Sequence, residues 1–261
     1  MARRDIAGIF KSAVLGASLV GGLSMTAQAD ELSLSATTAF TTDYVFRGTS
    51  QTNQNPAVQG SLDAAYGIFY AGMWASNVDF GGSGTGQELS TVEIDYYAGI
   101  APEWQGISFD IGGIYYTYPG AYDPGGNYDY FELKTSASYA FNDALTVGVT
   151  NYWSPEFFGQ SGQANALELA GEYVFNPIIN GFFSPSFSAL VGWQWNDPDA
   201  YGGTNVDYTY WNAGLTLGFM NNFSADIRYW DTDLSDAGCA LFNGFADNCD
   251  SRVVGTLSAS F

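Results

Sequence analysis

Carboxylates are the side chains of this sequence with the most chemical capacity, because it has 27 Asp and Glu residues against 7 Lys and Arg and no His. Without His, the chain has neither imidazole bases nor His-ligated metals. Two carboxylates about 5 to 10 Å apart could cleave a glycosidic bond, but such pairs arise easily in so acidic a chain. We therefore expect no enzymatic activity, no cofactor and no metal site.

The N-terminal segment predicts export. It has three basic residues near its start, then a run of small and apolar residues, and it closes on Ala-Gln-Ala at residues 27–29. This order is typical of a Sec signal peptide. We expect a leader over residues 1–29 and a mature domain over residues 30–261, with a buried N-terminal helix as the alternative.

Net charge limits the partners of the chain. The full sequence has a formal charge of -20, and cleavage would remove more basic than acidic residues. Nucleic acids repel such a chain, so we expect no nucleic-acid partner. In the oxidising compartment that export implies, we expect Cys239 and Cys249 to form a disulfide, with two free thiols as the alternative.

Apolar and polar residues alternate along the mature chain. Between Leu32 and Arg47, Tyr44 and Phe46 belong to the apolar phase and Asp43 to the polar phase, which predicts a strand of about fifteen residues. No stretch has a convincing helical period and no linker divides the chain, so we predict one all-β domain of twelve strands. The other strands are predicted at 56–66, 68–78, 89–101, 107–118, 130–141, 145–153, 164–175, 183–195, 208–219, 223–231 and 252–261.

The connections between these strands alternate in length. The odd-numbered connections are long and polar, whereas the even-numbered ones are short. Outer-membrane barrels have short periplasmic turns, long extracellular loops and an even strand number, whereas a β-sandwich has no reason to sort its loops in this way. We therefore predict a transmembrane up-and-down antiparallel β-barrel with both termini in the periplasm.

The strand ends and the C-terminus favour the same architecture. Aromatic residues crowd the ends of the predicted strands, as in the aromatic girdles of such barrels. The last strand ends in Phe261, which resembles the C-terminal assembly signal of outer-membrane barrels. We expect the bacterial outer membrane as the location, and its lipid, lipopolysaccharide and barrel-assembly machinery as partners.

Three motifs carry a resemblance to a known family. They are TTDYVFRGTSQ at residues 41–51, YAGMWASNVDF at residues 70–80 and EIDYYAG at residues 93–99. With these motifs the chain resembles the TorF-type porins, conserved hypothetical outer-membrane proteins of proteobacteria of the Gcw_chp type, over essentially its whole mature length. The resemblance implies an outer-membrane barrel with a transport role, no settled substrate and no catalytic residues.

The alternation also assigns charged strand residues to lipid or to lumen. With the apolar phase turned outward, nine acidic residues and all four basic residues of the mature chain face inward. A lipid-facing Arg or Lys at the midplane costs roughly 2–4 kcal/mol, so this partition favours a barrel. The candidate pore-lining residues are Asp43, Arg47, Asp63, Glu93, Asp95, Asp110, Glu132, Lys134, Glu168, Glu172, Asp226, Arg228 and Arg252.

Such a lumen has two interpretations. An acidic, water-filled pore would pass small hydrophilic solutes and prefer cations. The alternative is a closed structural or surface-interaction barrel, in which Lys134 and Arg228 neutralise neighbouring carboxylates and bulky inward residues such as Tyr116 fill the space. Barrels of eight strands have an interior filled by side chains, and barrels of sixteen enclose a channel. A strand number of twelve therefore does not distinguish an open lumen from a filled one. We predict a passive, cation-preferring channel.

The long loops are acidic. They and their edges hold thirteen carboxylates and no basic residue. Asp231, Asp233 and Asp236 have oxygen ligands at spacings that calcium can use, although not those of the EF-hand loop. We interpret the loops as a solvated acidic rim that concentrates cations at the mouth of the barrel.

Overall fold

The structure is a computed structural model that describes residues 31–81, 89–122 and 127–261. The predicted leader, residues 1–29, lies outside the described residues. Within them, twelve long strands form one antiparallel sheet. The strands are β1 (Ser33–Thr41), β2 (Ala57–Tyr66), β3 (Phe69–Asn77), β4 (Val92–Ile100), β5 (Ile107–Thr117), β6 (Tyr130–Ala140), β7 (Leu145–Ser154), β8 (Ala164–Val174), β9 (Phe183–Asn196), β10 (Tyr208–Phe219), β11 (Phe223–Thr232) and β12 (Arg252–Ser260).

The sheet closes on itself. Each strand pairs with its neighbours in sequence, and β1 pairs with β12, with Phe40 opposite Leu257. Because closure leaves no sheet edge, the backbone groups of every barrel strand find partners on both sides. The predicted twelve-stranded up-and-down barrel is confirmed.

The outer surface of the barrel is apolar. Leu34, Val58 and Val253 lie on strands, yet 62–70% of each side chain is exposed. Along β1, the residues on either side of Leu34 are Ser33 and Ser35, which turn to the opposite face, as the alternation of residues requires. An apolar exterior around a polar interior is the arrangement of a membrane barrel and the reverse of a soluble one.

The first strand is shorter than predicted. β1 ends at Thr41, and residues 42–56, here called the inserted hairpin, fold into the barrel, with Val45–Phe46 paired to Thr49–Ser50. Tyr44, expected on the lipid face, is 1% exposed and packs against Trp74. The expectation was wrong because an apolar residue can leave water by facing lipid or by filling a lumen, and alternation does not distinguish the two.

The turn of the inserted hairpin explains why the strand breaks there. Arg47 (φ 47°) and Gly48 (φ 83°) both have left-handed backbone conformations, which reverse the chain direction. A Cβ at Gly48 would lie 2.9 Å from the Cβ of Tyr210 on β10, so only glycine fits this tip. Asp43 and Arg47, predicted on the barrel wall, therefore lie on the inserted hairpin.

The loop between β11 and β12 contains a helix that the sequence analysis did not predict. Helix α1 (Asp236–Asn243) is capped by Ser235, whose hydroxyl accepts from the Gly238 N–H at 3.2 Å. Eight residues are too few to show a helical period. Short 3₁₀ turns occur at Phe158–Gln160 and Pro198–Tyr201. No helix in the described ranges is long and apolar enough to cross a membrane.

Candidate pore interior

The inserted hairpin crosses the lumen and is held by residues of the barrel wall. Near its base, the Tyr44 hydroxyl donates to Glu93 Oε1 on β4 at 2.7 Å. Burial and the neighbouring Glu93 and Asp95 carboxylates raise the pKa of the Tyr44 hydroxyl well above its ordinary value. Tyr44 therefore remains a neutral hydrogen-bond donor, and the base of the hairpin is anchored to β4.

The Arg47 guanidinium is the main contact of the hairpin tip with the wall. Its two terminal nitrogens donate to the two oxygens of Glu132 on β6, at 2.8 and 2.7 Å. The same group donates to Gln194 Oε1 on β9 at 3.3 Å and lies 4.6 Å from the ring centroid of Tyr152 on β7. Bidentate pairing and ring contact together fix both the position and the plane of the guanidinium.

Asp43 ties the two arms of the inserted hairpin to each other and to β12. One of its oxygens accepts from the Ser50 hydroxyl at 2.6 Å and the Thr52 hydroxyl at 2.9 Å. The other accepts from Arg252 at 2.8 Å. This carboxylate therefore keeps the hairpin folded where it leaves the wall.

The loop after β11 holds the hairpin from outside. The Ser50 N–H donates to the Asn248 carbonyl at 2.8 Å, and the Asn243 side chain donates to the Ser50 carbonyl at 3.4 Å. A disulfide joins Cys239 and Cys249, with their Cα atoms 5.9 Å apart, and so links α1 to the segment that contacts the hairpin. The inserted hairpin is thus enclosed between the wall and a covalently closed loop.

Toward the short-turn end, charged side chains pair within the wall itself. Lys134 on β6 donates to Asp110 on β5 at 2.8 Å, and the Tyr70 hydroxyl donates to the same carboxylate at 2.6 Å. Asp63 on β2 accepts hydrogen bonds from the Ser61 and Tyr97 hydroxyls. These contacts connect wall strands to one another rather than to the inserted hairpin.

A second buried group lies on β11. Arg228 donates to Asp226 at 3.0 Å, to Asn212 at 2.7 Å and to Ser188 at 2.9 Å, so one guanidinium joins β9, β10 and β11. Glu172 on β8 is half-buried and lies opposite Ser188 in the register. Like the Lys134 pair, this group stays on the wall.

Two of the buried carboxylates have oxygens without a hydrogen-bond partner among the described residues. Asp95 on β4 has no exposed surface, and neither of its oxygens has a hydrogen-bond partner among the described residues. Glu168 on β8 accepts from the Tyr210 hydroxyl at 2.7 Å, but its Oε2 is likewise unpartnered there. Glu93, Asp95, Glu132 and Glu168, here called the acidic layer, are each at most 2% exposed, and among the described residues Glu132 is the only one of the four in an ion pair, with Arg47.

The structure pairs every basic residue of the candidate list with a carboxylate. The pairs are Arg47 with Glu132, Lys134 with Asp110, Arg228 with Asp226, and Arg252 with Asp43. The sequence does not predict Gln194 and Tyr152 as neighbours of Arg47. Arg47 meets these two residues because β1 ends at Thr41 and the chain turns into the lumen. The Arg-Gly pair within the 41–51 motif, where both residues have positive φ, is the local sequence signal of that turn.

The model of a protein family described as bacterial protein of unknown function (Gcw_chp) matches residues 26–261. The chain belongs to the Gcw_chp family. The resemblance found in the sequence is therefore confirmed. No curated protein matches this Gcw_chp chain.

Solved porin structures resemble the Gcw_chp chain in fold. The KdgM porin superposes with a TM-score of 0.52 and 8% identity, over 87% of this chain and 99% of that chain. The KdgM porin in complex with disordered oligogalacturonate gives the same values. The NanC porin gives a TM-score of 0.48 and 11% identity, over 88% of this chain and 99% of that chain. At such identities the KdgM likeness shows a porin-like barrel fold.

Proposed function

We propose that this Gcw_chp protein is an outer-membrane channel for passive diffusion of small hydrophilic solutes, that it prefers cations, and that the inserted hairpin constricts it. The observation that carries the proposal is the acidic layer, four buried carboxylates of which Glu132 alone is ion-paired among the described residues. A lumen with unbalanced negative charge attracts cations and repels anions. In this proposal the barrel has no catalytic role.

The proposed location follows from the surface of the barrel. Its apolar exterior suits outer-membrane lipid and lipopolysaccharide, and the leader expected over residues 1–29 would direct export. The backbone of Phe261 pairs with Ala36 on β1 at 2.9 and 3.0 Å, at the seam where the barrel closes. We propose that the barrel-assembly machinery recognises this last strand.

The acidic interior also indicates which solutes the channel excludes. The KdgM porin has been solved in complex with disordered oligogalacturonate, a chain of carboxylate-bearing sugars. In the present barrel, Asp95 and Glu168 would repel such an anion. The porin-like fold is therefore shared, whereas the proposed solutes are of opposite charge.

A closed structural barrel is the second candidate, and a specific observation favours it. The inserted hairpin lies within the lumen, anchored by Arg47 and enclosed by the disulfide-closed loop. Liposome swelling with neutral sugars and amino acids of graded size separates the two functions. A channel predicts swelling that declines with solute size, whereas a closed barrel predicts none at any size.

Planar bilayers under a KCl gradient test the preference for cations. We expect a reversal potential of cation-selective sign that shrinks as the salt concentration rises, because salt screens the lumen charges. A potential of zero or of anion-selective sign would refute the electrostatic part of the proposal while leaving conduction intact.

A further inference from the structure

The groups that hold the Arg47 guanidinium belong almost entirely to the barrel wall. Glu132, Tyr152 and Gln194 lie on β6, β7 and β9, and only one contact, the Phe46 ring at 4.6 Å, comes from the hairpin itself. Tyr116 on β5 donates to Glu132 Oε2 at 3.0 Å, which orients the carboxylate. Closed-barrel pairing fixes these strands relative to one another, so the wall keeps this arrangement whatever occupies it.

The occupant is held less firmly than its site. Arg47 lies at the tip of a hairpin of two residue pairs and has a positive φ of 47°. Such a conformation is unfavourable for a non-glycine residue. A displaced hairpin would lose the Glu132 contacts but regain a relaxed backbone at Arg47. If the guanidinium group of a solute took the place of Arg47, it would restore to Glu132 the contacts that the displaced hairpin loses.

The site also has capacity for more positive charge than Arg47 supplies. Both oxygens of Asp95 and one oxygen of Glu168 remain without partners in the described structure, and both side chains are at least 98% buried. Burying an ionised carboxylate without a partner is costly. A solute with donor groups besides its guanidinium can offer these oxygens a partner that Arg47 does not supply.

We propose that Glu132, Gln194 and Tyr152 form a binding site for the guanidinium group of a transported solute, and that Arg47 is a tethered occupant that this solute replaces. The inference rests on the proposed channel function and names its substrate class. Solute binding and hairpin release are then the same event, since one site cannot hold two guanidinium groups.

Guanidinium fits this site better than other cations. Its planar fork matches the two oxygens of Glu132, and its face stacks on the Tyr152 ring. An ammonium group has no plane to stack and cannot pair in the same fork geometry. In the described ranges, no cluster of three or more acidic or Cys side chains is arranged to hold a metal ion.

The binding test uses the full barrel with Arg47→Gly, since glycine suits the positive φ at this position. The probes are methylguanidinium and its neutral analogue methylurea, titrated by calorimetry into protein folded in detergent. We expect methylguanidinium to bind the variant at least tenfold more tightly than methylurea, and tenfold more weakly to wild type, where Arg47 occupies the site. Adding Glu132→Gln should remove most of this binding.

The transport test uses L-arginine and L-citrulline, which have similar shape but differ in charge, in proteoliposomes. We expect wild type to admit L-arginine several-fold faster than L-citrulline, and Glu132→Gln to bring the ratio close to one. Glu103→Gln, an exposed residue outside the lumen, is the matched control and should keep the wild-type ratio. Heat-modifiable migration verifies that each variant is folded.

The outcomes separate the inference from the function on which it rests. If methylguanidinium and methylurea bind Arg47→Gly equally, or if Glu132→Gln keeps the transport ratio, the guanidinium site is wrong even in a conducting barrel. If methylguanidinium binds as expected but no variant conducts, the site stands as a ligand site and the channel function fails.

Discussion

Strand β6 contributes to two ion pairs, through Glu132 and Lys134, which lie two residues apart. The two pairs connect β6 to different parts of the molecule. Glu132 binds Arg47, which comes from the inserted hairpin and is 85 residues away in sequence. Lys134 binds Asp110, which comes from the adjacent strand β5. The first pair has side chains 4% and 1% exposed, whereas the second has side chains 12% and 20% exposed.

This difference shows that ion pairing alone does not close a barrel. A pair between neighbouring wall strands lies along the wall and leaves the axis open. A pair between the wall and an inserted segment places backbone in the lumen and removes water from both charges. For the proposed channel, we therefore expect conduction to depend on the Arg47 pair far more than on the number of salt bridges.

The largest expected effect comes from removing the segment that carries Arg47. Tyr44 and Gln51 are joined by a backbone hydrogen bond of 2.7 Å, so residues 45–50 can be replaced by Asn-Gly without separating the arms. We expect single-channel conductance in planar bilayers to rise several-fold. Replacement of residues 198–203 by Asn-Gly, an equally long cut in an exposed loop, is the control and should leave conductance unchanged. Equal conductance in both variants would show that the hairpin is not the constriction.

A smaller effect is expected on stability, and it tests the two pairs directly. Arg47→Met leaves Glu132 buried without its cation, and breaking a buried pair in this way costs about 3–5 kcal/mol. Lys134→Met leaves Asp110 more exposed than Glu132 and still bonded to the Tyr70 hydroxyl, so we expect a clearly smaller loss. Urea unfolding in detergent measures both free energies. Similar losses in the two variants would contradict the distinction between the pairs.

The sequence predicts one of these pairs much better than the other. Alternation places Asp110 and Lys134 on the inward face, and only the register of β5 with β6, in which Gly112 lies opposite Lys134, is needed to bring them together. The Arg47 pair depends on the chain leaving the wall after Thr41. No periodic pattern contains that information, because Tyr44 and Phe46 avoid water equally well in lipid or in a filled lumen.

The same reasoning explains why the twelve strands were predictable. Their number and their faces follow from the alternation of apolar and polar residues, and the up-and-down topology follows from the loop lengths, both of which are local in sequence. Helix α1 was missed because it is short and is stabilised by its Ser235 cap and its disulfide rather than by a long apolar face. Local signals thus predict the wall, whereas the contents of the lumen depend on contacts distant in sequence.

Reducing the Cys239–Cys249 disulfide should destabilise the position of the inserted hairpin, with a smaller effect on conduction than removal of residues 45–50. On the chain-entropy model, a ring of this size contributes about 2–3 kcal/mol. It reaches the hairpin through the contacts of Asn248 and Asn243 with Ser50 and of Asp247 with Gln54. We expect a reductant to increase the fraction of time that single channels spend open, with an unchanged open conductance. The Cys239→Ser, Cys249→Ser double variant should not respond. A response in that variant would place the effect elsewhere.

The smallest effect is expected from charges outside the lumen. Asp233 and Asp236 are exposed on the loop after β11, where salt screens them over about 10 Å at 0.1 M and about 3 Å at 1 M. Changing both to Asn should therefore lower the cation selectivity at 0.1 M KCl and have little effect at 1 M. Glu93 and Asp95 are buried in the acidic layer and screened less, so changing them to Gln and Asn should lower selectivity at both concentrations. Reversal potentials of the two double variants at both salt concentrations compare the contribution of the rim carboxylates to cation selectivity with that of the lumen carboxylates. If the rim variant loses selectivity as strongly as the lumen variant at 1 M, ions are selected at the mouth, and the buried carboxylates serve only to hold the hairpin.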